Sequence, residues 1–144
     1  MKNIFVLSAL GFSCGLPYML VFSTLSAWLR DAGAALTVIG FISWAALTYS
    51  LKFLWSPFVD RIKMPLNQLV GQRRSWILMM QLLILILIMM MSQFDPISSL
   101  NFIVITAVLI AFFGSLQDIA VDAYRIELVS LDEQGNLAAS YQFG

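Results

Sequence analysis

Apolar residues run through this chain in four long blocks separated by short polar breaks. A helix needs about 20 consecutive apolar residues to cross a bilayer. The blocks lie at about 4–29, 35–59, 76–92 and 100–123, and the pattern predicts four membrane spans. Pro17 interrupts the first and predicts a kink, because proline removes a backbone donor. Ser13, one turn earlier, is placed to compensate the freed carbonyl. The breaks "RDAGAALT" and "FDPISS" are short, with Gly33 and Pro96 as stops and Thr37 as a cap. The break at 60–75 is longer and basic. After Arg125 the chain continues through a polar stretch into a second apolar run with Leu137, Ala139, Tyr141 and Phe143. This reads as a cytoplasmic segment and the start of a fifth span over 124–144, as expected of a fragment or truncated product.

Composition agrees with the pattern. Hydrophobic residues make up 60% of the 144 and charged residues 11%, where soluble domains average about 25% charged. The expected fold class is therefore all-α and polytopic. Eight basic and eight acidic residues leave no net charge to attract nucleic acid. With no His and Cys14 as the single cysteine, neither a His/Cys metal site nor an internal disulfide can be built, and no cofactor is expected. No nucleophile–base pairing or phosphate-cradling glycine loop marks an enzyme. The apolar stretch after Lys2 is too long for a signal peptide core.

The basic residues set an expected orientation. Lys2, Arg61, Lys63, Arg73, Arg74 and Arg125 fall on one side and Arg30 on the other. Positively charged loops stay in the cytoplasm, which places the N-terminus and the basic loop inside.

Ionisable residues within the spans carry the candidate chemistry, since each costs about 2.5–3.5 kcal/mol to place at membrane depth. Asp118, Asp122 and Arg125 share one face of the fourth span. Lys52 precedes Asp60 by eight residues on the second. If Asp60 and Arg125 both mark the inner interface, Lys52 lies level with Asp118, and a pair from Lys52 to Asp118 or Asp122 is geometrically reasonable. Three readings stand open. Lys52 could snorkel, the pair could lock two spans together, or it could couple to protons or gating. Gln81 and Gln117 fit helix–helix contacts better than a substrate site. Gly11 and Gly15 form a GxxxG, and Tyr18, Ser23 and Thr24 could line a cavity. Trp28, Trp55 and Trp76 lie near span ends, as in an aromatic belt.

The stretch "SPFVDRIKMPLNQLVGQRRSW" resembles the loop signature of the major facilitator superfamily. Asp60 and Arg61 match its centre, and Gly71, Arg73 and Arg74 its end. Ser56 replaces the usual glycine, and 62–70 forms an insertion. With "GFSCGLPYMLVFSTLSAWLRDAGAALTVIGF", "YSLKFLWSPFVDR", "GQRRSWILMMQ" and "QDIAVDAYRIE", the chain is similar to the AmpG family of muropeptide permeases over nearly its whole length. The acetyl-coenzyme A transporter family shares parts of this pattern.

The resemblance implies part of the N-terminal half of a transporter of at least twelve spans, multi-pass in the bacterial inner membrane and inactive without its remaining helices. It implies import of anhydro-muropeptides with protons, serving peptidoglycan recycling and the β-lactamase induction signal. It makes Asp60, Arg61, Gly71, Arg73, Arg74 and Arg125 a gating latch, with Asp122 and Arg125 as partners of the loop. It makes Gly15, Tyr18, Gln117 and Asp118 candidates for substrate or proton contact. The alternatives are another cargo, such as acetyl-coenzyme A, or a small four-helix membrane scaffold.

Overall fold

The computed structural model describes residues 2–63, 67–128, 139 and 142. Helices α1 (Lys2–Met19) and α2 (Leu25–Asp31) are joined by a π-helical turn, Leu20–Thr24. They form the first span, continuous over Phe5–Asp31. Pro17 does not end this helix. The wider turn begins three residues later, the usual way a helix absorbs a misfit in its ladder. Helices α3 (Leu36–Ser43), α4 (Ala46–Ser50) and α5 (Lys52–Arg61) make the second span. A short α6 (Asn67–Val70) precedes α7 (Gln72–Met91) and α8 (Leu100–Leu128), the third and fourth spans. The described residues are helices and connections, and the chain is a helical polytopic membrane protein.

Three helices are continuous and apolar enough to cross a membrane. The second span is a broken one, Leu36–Ser50 and Lys52–Arg61 meeting at 53°. The break has a local cause. The hydroxyls of Ser43 and Ser50 donate to the carbonyls of Ile39 and Ala46, and that of Thr48 to Ala45. Such back-bonding competes with the ladder and bends helices. Pro57 withholds a further amide from the same span. The expected start of a fifth span lies outside the described residues, apart from helical Ala139 and Gln142.

Helix α8 is the axis of the packing. Its apolar window is 56% buried, against 28% for those of the first and third spans. Small side chains make this possible: Ala107, Ala111 and Ser115 are buried at four-residue intervals, the spacing that lets helix backbones approach. One core cluster joins Cys14, Val59, Trp76, Met80 and Leu116. A second joins Val21, Leu29, Ile42, Ile84 and Ile103. Phe5, Phe12, Phe41, Trp44 and Phe53 face outward, as lipid contact requires.

Two of the expected belt tryptophans serve packing instead. Trp76 is 5% exposed, and its indole N–H donates to the Ile62 carbonyl at 3.2 Å. Trp55 packs edge-on against Phe112 at 5.3 Å between ring centres. In the turn between the third and fourth spans, Asp95 accepts backbone N–H bonds from Ser98 at 2.9 Å and Ile97 at 3.2 Å. The Ser98 backbone bond first, then its hydroxyl and Ile97, hold the Asp95 carboxyl below the ordinary range. Its contribution is thus complete above the ordinary carboxylate pKa and fades as pH falls through the lowered one.

Gly114 marks the tightest crossing. A Cβ there would collide with the hydroxyl of Tyr49 and meet the Pro17 ring at 3.7 Å. The Tyr49 hydroxyl is itself buried without a hydrogen-bond partner among the described residues. Gly114→Ala is expected to destabilise the protein by about 1–3 kcal/mol, the range for overpacking. Tyr49→Phe should restore most of that loss, and alone should be neutral or stabilising, because it removes an unpaired polar atom. Thermal unfolding of the three variants in detergent checks both statements.

Candidate functional site

The break in the second span falls immediately before Lys52, which becomes the first residue of α5. Irregular backbone at membrane depth persists where it is buried in protein or lines a polar cavity. Here a cavity of about 570 Å³ lies against the break. Gly15 and Tyr18 from the first span line it, with Tyr49 and Lys52 from the second and Asp118, Asp122 and Arg125 from the fourth. Gly15 leaves open space where a side chain would stand.

The Lys52 ammonium donates to Asp118 Oδ2 at 2.8 Å and to Asp122 Oδ2 at 3.3 Å. Asp122 Oδ1 lies 3.6 Å from Arg125 Nη2. Two cations and two anions thus form a chain whose formal charges cancel. Asp118 is the most enclosed of the four, with its side chain 20% exposed against 43% for Lys52. Of the three open readings for Lys52, snorkelling away from the acids is not what the structure shows.

Tyr18 and Tyr49 form the aromatic wall, 5.5 Å apart in an edge-on pair, with Phe22 4.7 Å from Tyr18. Gln117 is absent from this wall. It is 1% exposed and donates to Ser13 Oγ at 3.1 Å. Gln81 donates to the same hydroxyl at 2.6 Å. Both amides therefore join helices, and Ser13 serves them. The reason is helical phase, since Gln117 sits about 100° round α8 from Asp118.

A second polar cluster lies at the stem of the basic loop. Arg73 bonds Asp60 at 2.5 Å and Glu127 at 2.9 Å. Arg74 donates to the Tyr124 hydroxyl at 3.0 and 3.3 Å, its guanidinium 5.4 Å from the ring centre. Gly71 takes φ +90°, where side chains are disfavoured, and its carbonyl accepts from Ser75 as α7 begins. Ile62 closes the stem, accepting from Gln72 at 2.7 Å as well as from Trp76. Arg61 is exposed and makes no ion pair among the described residues.

The sequence-expected latch residues are therefore only partly assembled. Asp60, Gly71, Arg73 and Arg74 meet at the stem, and Arg125 joins the cavity instead. The residues of α8 that meet the loop arginines are Tyr124 and Glu127, while Asp122 and Arg125, expected as partners of the loop, face the cavity. Phase again decides. Asp118, Asp122 and Arg125 lie within about 40° of one line on α8, and Tyr124 and Glu127 roughly 180–240° away. The i,i+3 spacing of Tyr124 and Glu127 was the available signal.

A family model described as Acetyl-coenzyme A transporter 1 matches residues 3–143. The chain is 40% identical over 134 residues to the anhydromuropeptide permease of Escherichia coli K12, covering 93% of this chain and 27% of that protein. It is 37% identical over 142 residues to putative transporter AmpG 4 of Rickettsia felis, covering 99% of this chain and 34% of that protein. An uncharacterised protein of Haemophilus influenzae is 40% identical over 134 residues, 93% of this chain and 31% of its own length. The chain thus spans about a third of the length of the curated relatives it matches. With four apolar spans, a charged cavity and a braced basic loop, the chain belongs to the acetyl-coenzyme A transporter 1 family, and the relatives it resembles include AmpG permeases.

Proposed function

We propose that this chain works as part of a proton-coupled secondary transporter that imports anhydro-muropeptides across the bacterial inner membrane, without enzymatic activity. The supporting observation is the Lys52 ammonium held between Asp118 and Asp122 in a cavity beside a broken span. Broken helices at membrane depth are the recurring substrate- and ion-site element of secondary transporters. The permease names of the relatives support the cargo. Through it the protein would serve peptidoglycan recycling and β-lactamase induction. The cytoplasmic N-terminus rests on the distribution of basic residues.

In this reading Asp118 is the proton carrier. While Lys52 stays at 2.8 Å, the carboxylate is neutralised by the ammonium. When Lys52 withdraws and the site remains enclosed, the carboxylate takes up a proton. Each state of the cavity then carries a balanced charge. Asp60, Arg61, Gly71, Arg73 and Arg74 form the latch at the inner edge, with Arg73 bridging Asp60 and Glu127. Tyr18 and Gly15 offer substrate a flat apolar wall and room beside it. A carrier of this kind needs further helices to close its cavity from the other side.

The description of the matching family model supports a second cargo, acetyl-coenzyme A. Competition between the two solutes for uptake of labelled anhydro-muropeptide separates them.

Two outcomes test the mechanism in the natural gene product carrying this sequence. Asp118→Asn should insert normally and reduce uptake driven by a proton gradient by about 5- to 150-fold, the span of ordinary coupling free energies. Normal, protonophore-sensitive uptake by that variant would remove Asp118 from the coupling role. Replacing Arg73 and Arg74 together by alanine should shift the accessibility of a periplasmic cysteine probe while leaving cargo binding intact. An unchanged labelling rate would count against the latch.

A further inference from the structure

The hydroxyl of Tyr49 is a group that the rest of the fold does not satisfy. It is buried, with no hydrogen-bond partner among the described residues. A polar atom so placed lowers the stability of the state that holds it, and its position calls for a reason beyond packing. The ring is firmly aimed. Tyr18 and Phe22 of the first span stand edge-on to it, with ring centres 5.5 and 6.3 Å away. The hydroxyl is directed at Gly114 of α8, where any Cβ would collide with it.

Beside that hydroxyl stands Asp118. Gly114 and Asp118 are four residues apart, so they share one face of α8, about 6 Å from each other along the axis. Helical side chains lean toward the N-terminus and cover the turn before their own Cα, which brings the Asp118 carboxylate back toward Gly114. The Asp118 charge acts electrostatically on Tyr49. At present the carboxylate takes its hydrogen bond from Lys52, at 2.8 Å. Tyr49 and Lys52 therefore approach one acid from one span, on either side of the break at Leu51. Both line the charged cavity. They differ in what they can do. Lys52 is long, charged and nearly half exposed, so an anionic solute can draw it away. Tyr49 is neutral and held by its aromatic neighbours.

We infer that Tyr49 is a reserve donor to Asp118: when Lys52 leaves for an anionic solute, the Tyr49 hydroxyl donates to the carboxylate in its place. The proton stays on the phenol oxygen, and no bond breaks. Tyr49 is thus a positioning residue, which keeps the abandoned acid from standing without a donor in an enclosed site, where that is costly. A hydroxyl bonded to a carboxylate is among the stronger hydrogen bonds open to a neutral side chain. The inference rests on the carrier reading in supposing that Lys52 is drawn off.

The test uses the natural gene product in nanodiscs, with tyrosine isotopically labelled at Cζ and the Tyr49 resonance assigned by its loss in Tyr49→Phe. Lys52→Met imposes the departure of the ammonium without any solute. The Tyr49 resonance should then move downfield, because donation to an anion polarises the phenol, and should return to its wild-type position when Asp118→Leu is added. Lys52→Met combined with Asp122→Asn keeps the formal charge of the cavity balanced and should give the same shift, which covers a failure of the first variant to fold. Thermal unfolding supplies a second reading. Tyr49→Phe leaves the wild-type midpoint unchanged or raises it, and should lower it in the Lys52→Met background. A resonance that stays in place in both Lys52 variants overturns the inference. So does a shift that survives Asp118→Leu, which would mean another acceptor. No cargo or proton gradient enters these measurements, so the reserve donor can stand where uptake of muropeptide fails, and fall where uptake is normal.

Discussion

A lysine ammonium in a hydrocarbon slab must snorkel to water, lose its charge or meet an anion. Lys52 meets two, at 2.8 and 3.3 Å. Much of the local structure depends on that choice. The pairing draws α5 against α8, beside the Trp55–Phe112 contact and the buried Val59. It also neutralises Asp118 and Asp122, which would otherwise stand together as like charges one helical turn apart. Arg125 completes the balance at 3.6 Å from Asp122. Breaking one partner from such a group leaves a charge uncompensated, which costs more than the pair contributes. The arrangement is therefore a poor source of stability and a good source of dependence, in which moving one charge forces the others to respond.

Helix α8 can serve this cavity and the basic loop together because its polar residues fall on separate faces. Asp118, Asp122 and Arg125 look toward the second span, Tyr124 and Glu127 toward α7, and Gln117 toward Ser13 of the first span. Small residues at 107, 111, 114 and 115 let the neighbouring helices come close enough for these short side chains to meet. Asp60 then links the two polar clusters, since it sits on the same short helix as Lys52 and bonds an arginine of the loop. A displacement of α5 must disturb both.

The apolar blocks made the spans legible, because bilayer thickness leaves few alternatives for runs of that length. The Lys52–Asp118 contact was legible from rise and direction alone, since two spans crossing the same way bring residues of equal depth level. Two things were not. The break at Leu51 carries neither glycine nor proline. Beside it lie three hydroxyls that turn back onto the backbone, with Pro57 in the helix that follows, and apolarity does not report such back-bonding. The partners of the loop were the other, because depth along α8 without helical phase does not separate Tyr124 and Glu127 from Asp122 and Arg125. Arg125 is near enough along the axis but points to the wrong side. Trp76 shows the same limit, since its position at a span end suits an interface belt as well as the clip to Ile62 that it forms.

The contrast between two kinds of polar contact carries the last step. Ser13, Gln81 and Gln117 are neutral and at least partly buried, and their hydrogen bonds gain nothing from rearranging, because hydrocarbon offers no substitute partner. They suit a frame. Lys52 has a long flexible arm, two acceptors at unequal distances and a cavity beside it. It can exchange one acceptor for another, or for a bound solute, at nearly constant charge. Neutral bonds hold the first span to the third and fourth, while every ionic contact of the second span reaches another helix, Lys52 to α8 and Asp60 to α7. The separation follows from the dielectric alone. Dipoles hold position cheaply inside a membrane, whereas paired charges sit there only conditionally, and a condition that one proton or one anionic solute can alter is the requirement for a switch.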